Sequence, residues 1–467
     1  MVFSSLLFIV FFLPTVLLLY YISPPKFRNW ILLISSFIFY AWGEPIYIVL
    51  LLVSTTTDFW LGKWIGNTQR GERSRKTMLI ISIAINLAVL FFFKYAGFLI
   101  DNLNNVLGTN IADLDLPLPI GISFYTFQSI SYIVDVYRRK VEPQQHWVPF
   151  ATYIALFPQL VAGPIVQYST IAAQLNHRKF KESEFAEGIQ RFIRGLAKKV
   201  LLANNIGLLW DHIQSQPMDT MSIWLAWLGI IAFAFQIYFD FSGYSDMAIG
   251  LGLMFGFRFN ENFNLPYLAR SITDFWRRWH ISLSSWFRDY VYIPLGGNRQ
   301  GLWKQLRNIM IVWALTGIWH GASWNFALWG IYFGIILICE KLFLLKWLTR
   351  SPRWLQHSYA IILILCGWVL FVFEDMTVMG QYIMSMLGLH EGSIWISDEL
   401  LFQLRNYFVL LAILVIVSIS PKFKWWNRFT KSTSGLIIVW AIHMLLMFVS
   451  IAYLVDASFN PFLYFRF

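Results

Sequence analysis

The sequence is short of charge and nearly free of cysteine. Of 467 residues only 13% are Asp, Glu, Lys or Arg, about half the usual share for a soluble chain, while 58% are hydrophobic. A water-soluble globular chain and a disordered one are both excluded, the first for lack of a charged surface and the second for excess apolar content. The two cysteines, Cys339 and Cys366, each lie inside an apolar run, which speaks against a disulfide framework or a thiolate metal site. There is no G-x-S-x-G elbow, no phosphate-binding P-loop, no G-x-G-x-x-G and no H-E-x-x-H. Serine-hydrolase, nucleotide-hydrolysing, dinucleotide and zinc-peptidase chemistries therefore have no local support. The eight histidines, at 146, 177, 212, 280, 320, 357, 390 and 443, have no metal-ligand spacing, so neither a metal nor a bound cofactor is expected. The net charge of +11 comes from basic residues that punctuate apolar runs. Nucleic-acid binders instead cluster them on a solvated face, so the expected partner is a lipid bilayer.

What the sequence does contain is a series of apolar runs, at 3–22, 30–42, 46–61, 78–98, 119–136, 148–166, 222–239, 243–257, 305–318, 322–341, 358–373, 403–420 and 434–455. With about 20 residues per span plus a loop, they predict an all-α polytopic membrane protein of roughly eleven spans. The apolar stretch from Trp30 to Leu61 is too long for one span and breaks at Gly43-Glu44-Pro45. Met1 to Tyr20 lacks a basic leader and a small-residue cleavage site, and reads as a retained first span. Short loops set the orientation. Lys26 and Arg28, the 63–76 loop with Lys63, Arg70, Arg73, Arg75 and Lys76, and Arg138-Arg139-Lys140 are basic, whereas the 98–118 loop holds Asp101, Asp113 and Asp115 and no base. Towards the other end, Lys422, Lys424, Arg428 and Lys431 mark an inner loop, and 376–402, with Glu391, Asp398 and Glu399, an outer one. Both the N-terminus and the C-terminal stretch are thus expected outside. One integral membrane domain over 1–467 is expected, with N-terminal spans to 166, a core over 167–341, and C-terminal spans and an aromatic tail over 342–467.

The middle third reads differently. Residues 178–199 mix Arg178, Lys179, Lys181, Arg191, Arg194, Lys198 and Lys199 with apolar positions, the pattern of amphipathic helices on a membrane surface. The segment 258–300 has no apolar run of span length but is rich in polar and aromatic residues. Such backbone survives at membrane depth only when buried in protein or lining a wet cavity, so a re-entrant region is expected here. Ionisable groups within apolar surroundings are candidate functional groups. His320 lies in Gly317-Ile318-Trp319-His320-Gly321, and an imidazole titrating at about 6.5 suits general-base work. Gly317 and Gly321 beside it are expected to leave room for a substrate chain. His280 shares a helical face with Trp276, Trp279 and Leu283, with Arg277 and Arg278 pointing elsewhere, towards phosphates or headgroups. Either histidine can equally be a structural core residue. Asp240 or Ser242 is read as capping a helix that follows, and Asp240 or Asp246 alternatively as orienting a histidine. Glu44 and Glu340 are read as turn or interfacial residues. The aromatic stretch Asn460–Phe467 is read as an interfacial anchor.

Taken together, Leu118–Tyr125, Phe157–Pro164, Tyr238–Asp246, Phe275–Gly297 and Trp319–Asn325 resemble the membrane-bound O-acyltransferase family. The likeness is to its bacterial branch of alginate and peptidoglycan O-acetyltransferase membrane subunits, with teichoic-acid D-alanylation proteins more distant. The resemblance implies a ring of helices around a central funnel, with His320 as catalytic base and His280 as second active-site histidine. It further implies a cytosolic acetyl-CoA donor drawn in by Arg277, Arg278 and Arg288, and an extracytoplasmic polysaccharide acceptor. His280, Asn325 or a backbone N–H would steady the oxyanion. Phe462–Phe467 looks like a C-terminal motif whose tyrosine, here Tyr464, relays the acyl group to an extracytoplasmic SGNH-type acetyltransferase with a Ser-His-Asp site. The alternatives are a D-alanyl or other acyl transferase and a transporter of an envelope-polymer precursor; the visible lack of internal repeats weighs against the transporter. A bacterial cytoplasmic membrane location is expected.

Overall fold

The computed structural model describes residues 1–112, 114, 116–161, 163–390, 392–420, 432–456 and 463, and among them there is no strand. Among the described residues seven helices are long and apolar enough to cross a membrane: Ile48–Gly66, Glu72–Leu107, Ile223–Met254, Trp324–Leu348, Arg353–Val372, Asp398–Ile419 and Thr433–Asp456. The chain is an all-α polytopic membrane protein. The other apolar runs form shorter or interrupted helices. Residues 3–22 give a π-helical turn, Leu7–Phe12, leading into Leu13–Ile22. The run 148–166 breaks at Leu156 into Trp147–Ala155 and Phe157–Leu160, because Pro158 lacks the N–H that a continuing helix needs. The turn at Gly43-Glu44-Pro45 separates Arg28–Ala41 from Ile48–Gly66. The 36-residue helix Glu72–Leu107 is about 54 Å long, against a hydrocarbon core of about 30 Å.

The described chain divides into two compact units, one of residues 1–192 and 244–261, the other of 193–243 and 262–467. Both Glu182–Ala197 and Ile223–Met254 run from one unit into the other.

In the first unit Phe3, Phe8, Phe39 and Phe157 pack ring on ring, with centroids 5.1 to 6.5 Å apart. Two buried polar groups tie its helices together. The buried Asp58 carboxylate accepts from Ser82 Oγ at 2.9 Å and from Asn86 Nδ2 at 2.9 and 3.1 Å, tying Ile48–Gly66 to Glu72–Leu107. Arg75, 2% exposed, donates to the carbonyls of Ile65 and Tyr137 and to Glu72. Glu182–Ala197 has the expected amphipathic build: Phe192 and Ile193 are buried, Arg194 exposed. A Cβ on Gly188 would lie 2.7 Å from the Gly250 carbonyl, so this pair of glycines sets a close helix crossing.

In the second unit Leu302–His320 and Trp324–Cys339 form an antiparallel hairpin through Gly321-Ala322-Ser323. The helices touch at backbone level. A Cβ on Gly317 would lie 2.3 Å from the Phe326 carbonyl, one on Gly330 2.4 Å from the Trp313 carbonyl, and one on Gly321 2.2 Å from the Phe326 ring. The space beside His320 that these glycines vacate is therefore filled by the second helix, and the expected room for a substrate chain is not there. Small residues do this in membranes because association rests on close packing and not on water expulsion. Ile223–Met254 is unbroken through Asp240-Phe241-Ser242-Gly243, so neither Asp240 nor Ser242 is a helix cap. Gly243 serves packing: a Cβ there would meet the Gly195 carbonyl at 2.8 Å.

Gly330→Val should force the hairpin apart at a cost of about 1–3 kcal/mol, the usual penalty of overpacking. Thermal unfolding of purified protein in detergent checks this; a melting temperature equal to wild type would show that the contact tolerates a side chain.

Candidate active site

His320 is the last residue of Leu302–His320, where Gly321 turns the backbone extended. It is 7% exposed, and its ring is enclosed by Trp329 at 4.9 Å, Trp319 at 5.0 Å and Phe371 at 5.3 Å, each edge to face. His280 comes from the re-entrant region. A short helix, Ile272–Trp276, leads to it, and a second, Ile281–Phe287, starts immediately after it. His280 has φ 44° and ψ 54°, the left-handed region that side chains occupy at a cost. Neighbouring contacts hold it there. Ile281 N donates to the Asn262 carbonyl at 3.0 Å, and Asn264 N to the Arg278 carbonyl at 2.9 Å.

The Asn262 side chain completes the grip. Its Oδ1 accepts from Ser282 N at 3.2 Å and Ser282 Oγ at 2.9 Å, and faces His280 Nδ1 at 3.2 Å. Because this oxygen can only accept, Nδ1 carries the proton and Nε2 the lone pair of the neutral ring. The sequence assigned this orienting role to Asp240 or Asp246. The structure puts both carboxylates elsewhere. Asp246 accepts from Arg191 Nε at 3.0 Å, and Arg191 Nη1 also binds Glu261 at 2.7 Å. Asp240 pairs with Lys199 Nζ at 2.6 Å.

Both histidines line a single cavity of about 240 Å³, along with Arg277, Arg288, Ser284 and Tyr292. Its aromatic wall is Trp276 packed on Trp313 at 4.7 Å and on Trp329 at 5.5 Å. Arg277 is exposed at the cavity. Arg288 also lines it, with its guanidinium against the adjacent Asp289 at 2.8 Å. Arg278 does not join them: it bonds Asp274 at 2.8 Å and the Asn264 carbonyl at 3.3 Å, holding the re-entrant segment. Asn325 is fully buried, does not line the cavity, and donates to the Phe371 carbonyl at 3.0 Å. The oxyanion role expected of it does not fit that position; through Phe371 it fixes one wall around His320. Tyr464 lies outside the described residues.

Two residues that organise the site were missed or misread in the sequence. Asn262 sits in a polar stretch, Asn260-Glu261-Asn262-Phe263-Asn264, where density of polar groups was the sole signal. Glu340, read as a turn or interfacial residue, is 1% exposed. Its carboxylate accepts from Ile272 N at 2.7 Å, Thr273 N at 2.8 Å, Thr273 Oγ1 at 2.6 Å and the Tyr359 hydroxyl at 3.1 Å. It caps the short helix that carries Trp276, where a carboxylate meets both the free N–H groups and the positive end of the helix. A lone carboxylate in an apolar run was the available signal. Among the described residues no three His, Cys, Asp or Glu side chains gather as a metal site.

A re-entrant segment delivering one histidine to a second at a buried helix end, in an all-helical membrane protein, defines a class. The model of the membrane-bound O-acyltransferase family matches residues 143–380, and the chain belongs to that family; it is an acyltransferase. The chain is 43% identical over 424 residues to the "Probable alginate O-acetylase AlgI" of Azotobacter vinelandii, covering 89% of this chain and 84% of that one. It is 38% identical over 491 residues to the protein of the same description from Pseudomonas putida, covering all of both. A "Peptidoglycan O-acetyltransferase" of Helicobacter pylori is 34% identical over 460 residues, covering 91% and 87%.

Glu340→Ala would strand the N–H groups of Ile272 and Thr273, at about 1–3 kcal/mol per buried donor. Glu340→Gln keeps an acceptor and should lose less. Melting temperatures in detergent should fall in the order wild type, Gln, Ala, and an Ala variant that melts with wild type would remove the capping role.

Proposed function

We propose that this chain is a membrane O-acetyltransferase that carries acetyl groups from cytosolic acetyl-CoA to an extracytoplasmic cell-envelope polysaccharide. The observation that carries the reading is the shared cavity: two histidines, with Arg277 and Arg288 beside them. The relatives named for alginate and peptidoglycan O-acetylation support the acyl group and the acceptor class. The basic inner loops and acidic outer ones support a bacterial cytoplasmic membrane location with both ends of the sequence outside.

In this mechanism Arg277 and Arg288 attract the phosphates of the donor, and the thioester lies against the tryptophan wall. His320 takes the proton from an acceptor hydroxyl as its oxygen bonds to the thioester carbonyl carbon. The tetrahedral adduct collapses by breaking the C–S bond, and the departing thiolate takes the proton back from His320. His280, fixed through Nδ1 by Asn262, lines the same cavity. With its proton on Nδ1 the neutral ring has none to give the carbonyl oxygen through Nε2, so the oxyanion is steadied by a backbone N–H.

The first hydroxyl acylated is that of Tyr464, which hands the acetyl group to an SGNH-type acetyltransferase outside the membrane. Supporting this are the likeness of Phe462–Phe467 to the family's tyrosine-bearing motif and the outward charge assignment of that end.

Membranes given radiolabelled acetyl-CoA test both parts. His320→Ala should lose at least about 100-fold in acetyl transfer at equal protein level, the usual scale for removing a general base. Tyr464→Phe should abolish label on the chain itself and transfer to polymer. Wild-type transfer by His320→Ala would overturn the base assignment, and wild-type transfer by Tyr464→Phe the relay.

A further inference from the structure

The first unit holds a basic recess that shares no residue with the histidine cavity. Four cations line it, Arg28, Arg178, Lys179 and Lys181, against one carboxylate, Glu184. That carboxylate is already engaged: Lys181 Nζ lies 3.0 Å from it, and Arg258 pairs with it as well. The lining offers Arg28, Arg178 and Lys179 no second carboxylate. Three uncompensated cations in one recess attract an anion.

Arg178 is aimed by neutral acceptors alone. Its Nε donates to the Tyr20 hydroxyl at 3.0 Å, Nη1 to the Gln174 carbonyl at 3.1 Å and Nη2 to Asn29 Oδ1 at 2.7 Å. These bonds fix the guanidinium and leave its charge unanswered. Arg28 meets the same tyrosine: its guanidinium carbon lies 5.1 Å from the Tyr20 ring centroid, and that of Arg178 lies 5.9 Å away. Two guanidinium groups on one ring repel each other, and a bound anion relieves the repulsion. Burial lowers the Arg178 pKa from its ordinary value, and the Arg28 charge lowers it further. Arg28 Nε is buried with no hydrogen-bond acceptor among the described residues. A phosphate oxygen is the acceptor that suits such a donor best.

The surroundings say which anion. The recess has about 10 Å³ of free space, the size of one water, so a phosphate rests at its mouth and a nucleotide does not enter. It also lies where helices leave the membrane. Tyr20 donates to the Phe255 carbonyl at 2.8 Å, and Tyr21 to the Met254 carbonyl, at the end of the candidate span Ile223–Met254. Phe180, on the lining, is exposed, as are Ile22 and Phe27, the neighbours of Tyr21 and Arg28 in sequence. Cations beside outward-facing apolar side chains suit an amphiphile better than a free ion. We propose that this recess binds the phosphodiester of an anionic phospholipid, with Arg28, Arg178 and Lys179 on the phosphate and the acyl chains along Ile22 and Phe27. Basic pockets between membrane helices take such headgroups by the same chemistry. The proposal is independent of the acyl-transfer reading.

Purified full-length protein, delipidated in maltoside detergent, is titrated with phosphatidylglycerol or phosphatidylcholine, and the first bound lipid is followed by native mass spectrometry. Both lipids carry the phosphodiester, but the choline cation is repelled by the basic lining. Wild type should bind phosphatidylglycerol at least about tenfold more tightly, by a margin that shrinks as ammonium acetate is raised. Arg28→Gln with Lys179→Gln should weaken phosphatidylglycerol binding about 30-fold, from roughly fivefold per basic side chain. Arg28→Lys with Lys179→Arg keeps the charges and should keep the preference, which separates lost charge from lost fold. Equal affinity of wild type for the two lipids would overturn the proposal, as would an unweakened Gln double variant. Displacement of phosphatidylglycerol by millimolar inorganic phosphate would make this a free-phosphate site, and displacement by acetyl-CoA a donor site. Either result overturns the lipid assignment.

Discussion

A polar group placed among lipid-facing helices has no water to fall back on, and the rest of this structure depends on that constraint. The buried carboxylates Asp58, Glu340 and Asp240 are each met by a partner from another part of the chain. Asp58 finds Ser82 and Asn86, Glu340 finds the start of a helix, and Asp240 finds Lys199. The same constraint explains the re-entrant region. Its short helices leave backbone donors that no long helix satisfies internally, so a carboxylate and an asparagine amide are brought in to accept them. The histidines occupy fixed positions because their supports cannot be exchanged for solvent.

The two histidines are built in opposite ways. His320 ends a long helix whose position is set by backbone contact with its neighbour at Gly317 and Gly330, and aromatic rings surround it. His280 sits between two short helices and is set by hydrogen bonds. One is a packing solution and the other a polar one, and both end on the same 240 Å³ cavity. Packing resists small displacements steeply, whereas a hydrogen-bonded loop fixes which nitrogen bears the proton.

Much of this was legible in the sequence where information runs along the chain. The turn at Gly43-Glu44-Pro45, the amphipathic 182–197 helix, the irregular 258–300 stretch and the two histidines all follow from local pattern and from likeness to known motifs. What failed needed a partner far away. Asn262 is 18 positions from His280, and Glu340 is 68 from Ile272. Asp240 and Asp246 are near a plausible histidine only in imagination of the fold, and their actual bases, Lys199 and Arg191, lie in a segment that reads as a surface helix. Gly317 and Gly321 looked like vacated space because a sequence does not display the helix that fills it. Asn325 next to His320 looked chemical for the same reason, while its amide is turned to a carbonyl 46 residues on.

The backbone at His280 restricts what a geneticist can learn there. A φ of 44° is tolerated by glycine and, among residues with side chains, mainly by asparagine, aspartate and histidine. Alanine scanning, the habitual first step, would bend this loop while removing the ring, and lost activity would report two injuries as one. Asparagine is the substitution that deletes the imidazole and leaves the chain path intact. By the same reasoning, sequence drift at this position runs in a channel only a few amino acids wide, set by a torsion angle before any chemistry is chosen.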